Sequence, residues 1–383
     1  MFRLRIVAAL ALALAAFSPA CQAQLGKYVP IPAGSELDHQ LTAINNAEAS
    51  QKLQLLEQFA QTHPEDDYQI VADEQFVNYY LGAKQYDQAF EYGNKLFALD
   101  PDNYANAVSM VRAAREKGDT DKLYSYGEKA TSIVRRYKDS SPPAGMDGET
   151  WKRTKEQKLD SLKEDQDYVR QSLYSAAYNA GDPSKKASYF ERFAKMYPDT
   201  PEGSQALAMA AISYQQAQNR TKMLEVANGA LAKDPNNIAI LLILADDFSE
   251  KGEQLDKAEA YAKKAAALTE SVKKPEGVSD DQWKQQLAMQ KGLALSALGQ
   301  VDIEKKLNVQ AVEQLTKAAP LLKSNPVSYA RNQYRLGFAY LNLKKNAEAK
   351  QAFTEAASVD SPYKAPSQQK ITEISGAAHK KTS

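Results

Sequence analysis

The chain contains two copies of one long segment, separated by an almost constant interval along the sequence. Asp100 of the first copy recurs as Asp234 of the second, and the tripeptide Glu-Lys-Gly occurs at 116–118 and again at 250–252. Within each copy a shorter period of about 34 residues is present, which is typical of proteins built from stacked helix pairs. One such pair cannot bury its apolar face alone, so each repeat depends on its neighbours. The sequence therefore predicts an all-α helical-repeat solenoid with an internal duplication.

The charge composition of the chain indicates which classes of binding partner are not expected. The 383 residues include 48 basic and 48 acidic side chains, so the formal net charge is zero. A chain without a strongly basic field is not expected to attract nucleic acid or an anionic membrane surface. Apolar residues make up 43% of the chain, which favours a folded protein over a disordered one.

Residues 1–23 have the pattern of a secretory signal peptide. Arg3 and Arg5 precede an alanine-rich apolar stretch at 6–17, and small residues stand before a cleavage point at Gln24. The apolar stretch is too short to span a bilayer, so no membrane insertion beyond the signal peptide is expected. The sequence predicts an exported, periplasmic protein.

Cys21 is the only cysteine, so no disulfide is expected. The residues at 18–21, Ser-Pro-Ala-Cys, are similar to a bacterial lipoprotein cleavage box, in which Cys21 would be lipidated and would become the first residue. Ser18 and Pro19 depart from the usual box, and the ordinary cleavage site lies just downstream. Removal of Cys21 and its lipidation as an outer-membrane anchor therefore both stay open.

The clearest repeat is the last one. Its large and small residues resemble the tetratricopeptide repeat (TPR) family, whose 34-residue unit places them at fixed positions of a helix–turn–helix. The residues that carry the resemblance are Leu336, Gly337, Tyr340, Ala349, Phe353 and Ala356. The resemblance implies a right-handed solenoid of about six to seven helix pairs.

Turn and breaker residues divide the chain into segments. The turns of the first two complete repeats are expected at 83–85 and 118–119. The predicted segments are an extended leader at 24–35, a first TPR block at 36–198, a second at 199–325, a last repeat with a capping helix at 326–378 and a frayed tail at 379–383.

Two tryptophan segments interrupt the plain array. Loops containing proline and glycine, at 140–148 and 273–281, precede Trp151 and Trp283. Each tryptophan begins a long helix, the first of which is predicted to run over 149–180. The tryptophans could mark a binding patch, but large aromatic residues are ordinarily packed, and packing against the preceding repeat is the favoured interpretation.

No arrangement of residues points to catalysis. The three histidines, His39, His63 and His379, are scattered, whereas a zinc site needs several ligands at close spacing. No nucleophile elbow and no glycine-rich phosphate loop occurs. We therefore expect no catalytic residue, no metal and no cofactor.

The resemblance implies that a partner lies in a concave groove formed by the first helix of each pair. Glu74 stands where family members that bind a C-terminal carboxylate have a lysine, which argues against that mode. The positions that correspond to groove residues are Asn78, Arg112, Ile212, Asp246, Arg335 and Phe338.

The leading functional hypothesis is a periplasmic TPR scaffold that binds a segment of another envelope protein. A lipid-anchored structural component of an envelope or outer-membrane assembly complex is the alternative. A solenoid enzyme or small-molecule receptor would need a cluster of ionisable groove residues, which the sequence does not single out.

Overall fold

The computed structural model describes residues 25–275 and 277–382, with side chains described up to residue 376. This part of the chain contains eighteen α-helices and no strand. The predicted signal peptide and Cys21 lie outside the described residues. The helices are α1 (Glu36–Asn46), α2 (Ala49–Thr62), α3 (Asp66–Gly82), α4 (Tyr86–Leu99), α5 (Tyr104–Lys117), α6 (Thr120–Asp139), α7 (Gly148–Ser161), α8 (Lys163–Asn179), α9 (Pro183–Met196), α10 (Pro201–Gln216), α11 (Arg220–Lys233), α12 (Ile238–Lys251), α13 (Leu255–Leu268), α14 (Asp280–Glu304), α15 (Asn308–Leu322), α16 (Pro326–Asn342), α17 (Asn346–Ala357) and α18 (Lys364–Thr382).

Consecutive helices pack in pairs. The pairs are α3 with α4, α5 with α6, α10 with α11, α12 with α13, α14 with α15 and α16 with α17. The second helix of a pair also packs against the first helix of the next, as α4 does against α5. The predicted all-α, TPR-like helical-repeat architecture is confirmed.

The duplication is visible in the helix bounds. Helices α2, α4 and α5 recur as α9, α11 and α12, with both ends displaced by the interval that takes position 100 to position 234. The cap of α5 recurs as well, because the side chains of Asn103 and Asn237 each accept a hydrogen bond from a backbone N–H in the first turn of their helix. The same sequence signals therefore produce the same local structure twice.

The turns inside the pairs repeat one backbone conformation. Lys84 and Gln218, which occupy equivalent positions of the two copies, have φ of 55° and 57°, and Gly118 and Gly252 have φ of 75° and 64°. Glycine adopts this left-handed conformation without a steric penalty, which makes it the usual residue at the end of a helix. The turns predicted at 83–85 and 118–119 are confirmed.

The described chain forms two compact units. Unit 1 contains residues 25–181 and 195–197, and unit 2 contains residues 182–194 and 198–382, so the division falls within α9. The non-helical leader is held on unit 1, where the backbone N–H of Lys27 donates a 2.9 Å hydrogen bond to Asp100. Each unit has apolar clusters of its own, such as Ile44, Leu56, Phe59, Ala72 and Phe76 in unit 1 and Ala311, Leu315, Leu336, Ala339 and Ala352 in unit 2.

Trp151 is a packing residue. Its side chain is 4% exposed, its ring meets Tyr137 of α6 edge to face at 5.7 Å, and its indole N–H donates to the carbonyl of Ser140 at 3.1 Å. The favoured packing interpretation is confirmed for Trp151. Trp283 is half-buried at the start of α14.

Two predicted boundaries are wrong. The helix expected over 149–180 is broken at Leu162, whose φ of −97° and ψ of 0° separate α7 from α8. Its N–H bonds to the carbonyl of Leu159, three residues back, which tightens the last turn of α7. The tail expected at 379–383 is instead helical as far as Thr382, where α18 ends.

Close approach within a pair requires small residues. A Cβ placed on Gly337 of α16 would lie 2.6 Å from the ring of Phe353 on α17, which is fully buried. Gly82 of α3 offers a control, because a Cβ there would meet nothing within 4 Å.

We predict that Gly337→Ala lowers the free energy of unfolding by about 1–3 kcal/mol, because the added methyl group overpacks against Phe353. Gly82→Ala should leave stability unchanged or raise it by about 0.5–1 kcal/mol, since alanine restricts the unfolded chain. Urea unfolding followed by circular dichroism measures both. Equal effects of the two substitutions would contradict the close approach.

Candidate functional site

In unit 1 the two predicted groove positions are exposed. Asn78 lies on α3 and Arg112 on α5. The Arg112 guanidinium forms a 2.9 Å ion pair with Asp165 and lies 4.8 Å from the centroid of the Tyr168 ring. Arg112 therefore already interacts with two residues of unit 1. That Asn78 and Arg112 bind a partner stays a prediction.

In unit 2 the two apolar positions are only half-exposed. Ile212 lies on α10, and the Phe338 ring packs against Phe353 at 5.5 Å and against Tyr334 at 5.0 Å. Phe338 thus contributes to the aromatic packing between α16 and α17. Whether either side chain also contacts a partner stays a prediction.

Arg335 is not a surface residue, so the expectation that it faces a partner is wrong. Its side chain is 3% exposed and donates to Asp246 at 2.9 Å, to Glu250 at 3.0 Å and to the carbonyl of Ser296 at 3.2 Å. Asp246 also accepts from Arg331 at 2.6 Å. These charged groups join α12, α14 and α16, and they satisfy one another inside unit 2.

The electrostatics of this network favour the ionised forms. Burial by itself would raise the pKa of Asp246, but Arg331 and Arg335 outweigh burial and hold that pKa below its usual value. Burial likewise opposes the charge on Arg335, and Asp246 and Glu250 nevertheless raise its pKa. Removal of one partner would leave a buried charge without compensation.

We predict that Arg335→Met lowers the free energy of unfolding by about 3–5 kcal/mol, because Asp246 would remain buried with one cation fewer. Arg112→Met removes an exposed ion pair and should cost no more than about 1 kcal/mol. Urea unfolding of both variants tests this, and a cost for Arg335→Met as small as that for Arg112→Met would show that the network does not stabilise unit 2.

No group of three or more His, Cys, Asp or Glu side chains in the described residues is arranged to hold a metal ion. His63 is hydrogen-bonded to Gln40 at 2.8 Å, and its ring lies 4.8 Å from that of Phe59.

Among the helices that the structure describes, none is at once long and apolar enough to cross a bilayer.

An open cleft of about 550 Å³ lies between α2, α3 and α4 in unit 1. Neither α2 nor α4 carries a predicted groove residue, so the cleft does not belong to the predicted groove of first helices. The residues that line it include Glu57, Gln61, Asp73, Phe76, Tyr92 and Lys95.

Asp73 is the unusual residue of the cleft. Its side chain is 5% exposed, and none of the described residues donates a hydrogen bond to its carboxylate or forms an ion pair with it. Burial raises its pKa to about 6, although the positive charge of Lys95 acts in the opposite direction. The carboxylate oxygens reach the solvent of the open cleft, and ionisable groups with a raised pKa in a cleft are concentrated at functional sites.

Stacked aromatic rings form one wall of the cleft. The Phe76 and Tyr92 rings lie 4.2 Å apart at an interplanar angle of 24°, and Tyr80 stacks on Tyr92 at 5.5 Å. The Lys95 ammonium lies 4.1 Å from the centroid of Tyr92 and forms a 2.8 Å ion pair with Glu91. The wall already holds one cation against an aromatic ring.

The second copy of the segment has no such residues. At the equivalent positions of that copy, Leu207 corresponds to Asp73, Ala210 to Phe76, Val226 to Tyr92 and Gly229 to Lys95. The corresponding helices of the second copy, α10 and α11, thus form with apolar or small residues at these positions. The identities that reveal the duplication do not reveal the cleft, because its residues stand at positions where the two copies differ.

We predict that Asp73→Asn stabilises the protein at pH 7.5 by on the order of 1–2 kcal/mol and has no such effect near about pH 3.5. Because the folded-state pKa of Asp73 is raised above its ordinary value of 3.8, ionisation opposes folding. Ionisation of Asp73 does not lower the stability of the folded protein below the pKa that Asp73 has in the unfolded chain, and it lowers it fully above the pKa that Asp73 has in the folded protein. Urea midpoints at the two pH values measure it, and a pH-independent difference would show that Asp73 is not the titrating group.

Comparison with known proteins gives structural matches at low sequence identity and low TM-score. No protein-family model matches the sequence, and no curated protein matches it. Among solved structures, a chain of the Cut9–Hcn1 assembly of the APC/C is 12% identical, with a TM-score of 0.39; the match covers 89% of this chain and 64% of that one, less than two thirds. The P58(IPK) TPR domain is 13% identical with a TM-score of 0.30, covering 89% and 98%. Yeast Tom70 is 12% identical with a TM-score of 0.32, covering 90% and 95%.

Proposed function

We propose that the chain is a non-catalytic scaffold that binds a segment of another protein in the cleft between α2, α3 and α4. The observation that supports this is the buried, unpaired carboxylate of Asp73 in an open cleft with an aromatic wall. A stacked helical array commonly presents extended surfaces to partners, and the positions that differ between its repeats decide what is bound.

The duplicated sequence argues that the cleft is not a by-product of packing. Leu207 in the second copy is compatible with the same helix at the position of Asp73, so an acidic residue is not needed to form the helix pair. A costly group that the fold does not require is better explained by binding than by stability.

The first-helix groove remains a second surface for such a partner. Two of its charged positions are already paired within their own units, Arg112 with Asp165 and Asp246 with Arg331 and Arg335. A charged side chain that already has an ion-pair partner within its unit contributes less to the affinity for another protein than an unpaired charged side chain does. For this reason we place the primary contact in the cleft.

We further propose that the scaffold acts in the periplasm, on the basis of the signal-peptide pattern at 1–23. The alternative is a lipid-anchored component of an envelope or outer-membrane assembly complex, with Cys21 as the lipidated residue. Mass spectrometry of the mature N-terminus distinguishes them. A chain beginning at Gln24 supports the periplasmic form, a diacylated Cys21 supports the anchored form, and a retained Met1 contradicts both.

Site-specific photo-crosslinking in cells tests the proposed binding site. A benzoylphenylalanine at Gln61, which lines the cleft and is exposed, should crosslink to a discrete protein. The same probe at Lys195, the exposed equivalent in the second copy, is the matched control. The Gln61 crosslink should be lost in a chain that also carries Asp73→Leu. A crosslink that is absent at Gln61, or unchanged by Asp73→Leu, would contradict protein binding in this cleft.

A further inference from the structure

The cleft between α2, α3 and α4 carries an excess of negative charge. Glu57 lines it from α2, Asp73 lines it from α3, and Lys95 lines it from α4, where it is paired with Glu91. Two carboxylates and one ammonium group therefore line the cleft, and Glu91 beside it adds a third carboxylate. Tyr92 of α4 is the other titratable group of the lining, and burial raises its pKa, so it is neutral near pH 7. A cationic occupant complements this arrangement, and an anionic one does not.

Lys95 does not satisfy Asp73. Its ammonium pairs with Glu91 at 2.8 Å and lies over the Tyr92 ring at 4.1 Å, and its side chain is 49% exposed. It acts on Asp73 through the electrostatic field and without an ion pair. The Asp73 carboxylate is thus left with capacity for a charge-assisted hydrogen bond from an external donor.

The aromatic wall suits the same type of group. The stacked rings of Phe76 and Tyr92 extend an apolar surface beside Asp73, with their centroids 4.2 Å apart. Phe76 is 3% exposed and its ring face is covered by Tyr92, whose own ring carries the Lys95 ammonium. The stack therefore offers its apolar edge, which accommodates the methylene stem of a lysine or arginine. The carboxylate and the rings together fit a long basic side chain.

We propose that the cleft recognises a lysine or arginine side chain of an extended partner segment, with Asp73 as its counter-ion and the Phe76–Tyr92 stack as the surface on which its stem lies. This specificity rests on the proposed protein-binding function. The second copy, which has Leu207 and Val226 at the positions of Asp73 and Tyr92, would not select a basic residue.

A random library of displayed dodecapeptides, selected on the full chain at pH 7.5, tests the inference. The enriched peptides should share one lysine or arginine at a fixed position. The tightest of them is then synthesised with that residue or with norleucine, which keeps the stem and removes the charge. Norleucine should weaken binding about tenfold or more. Against Asp73→Leu the two peptides should bind within about twofold of each other, since the counter-ion is gone.

A matched control removes a carboxylate elsewhere in unit 1. Asp139 is exposed at the end of α6, so Asp139→Asn changes the net charge as Asp73→Asn does and should leave peptide binding unchanged. Binding to the parent chain should also weaken about tenfold from pH 7.5 to pH 5, because Asp73 becomes protonated below its pKa of about 6. The Asp73→Asn variant should lose this pH dependence.

Peptides that bind without a shared basic residue, or that tolerate norleucine fully, would overturn the inference and leave the proposed scaffold function standing. Displacement of the selected peptide by spermidine at equal concentration would show that the cleft takes a small amine rather than a protein segment. A library that yields no peptide, together with no crosslink at Gln61, would overturn the inference and the proposed function together.

Discussion

Close contact between a small residue on one helix and a large side chain on the next is the interaction on which the whole array depends. Gly337 admits the ring of Phe353, and Gly299 of α14 admits the side chain of Leu315 of α15 in the same way. These contacts bring two helices near enough to share a core, but each pair still leaves one apolar face uncovered. The next pair covers that face, so local packing and the growth of the array have the same cause.

Charged side chains are rarely buried between closely packed helices. The two units differ in how their buried charged side chains are paired. In unit 2 the charge of Arg335 is compensated by Asp246 and Glu250, which belong to a different helix pair. In unit 1 the carboxylate of Asp73 has no such partner and carries a raised pKa. The first arrangement joins helices of different pairs, whereas the second leaves a carboxylate that meets the solvent of the cleft and that we propose a ligand pairs with.

The internal duplication makes this contrast interpretable. Helices α4 and α11 are equal in length, and they stand at equivalent positions of the two copies. Yet α4 carries Tyr92 and Lys95 where α11 carries Val226 and Gly229. What the copies share, such as the caps at Asn103 and Asn237, accounts for the fold. What they do not share is the better guide to function, because packing alone does not demand it.

The sequence by itself determined the helical class, the duplication and the turns, because each of these depends on residues close together along the chain. The left-handed turn at Gly118 and the packing of Trp151 follow from such local signals. Only the tertiary structure decided the burial of Arg335 and the cleft around Asp73. Arg335 meets Asp246 across 89 residues, and Asp73 faces a cleft that α2 and α4 build from either side of α3. A repeat pattern predicts that helices stack, but the side chains that meet across the stack are set by long-range packing, which no period in the sequence encodes.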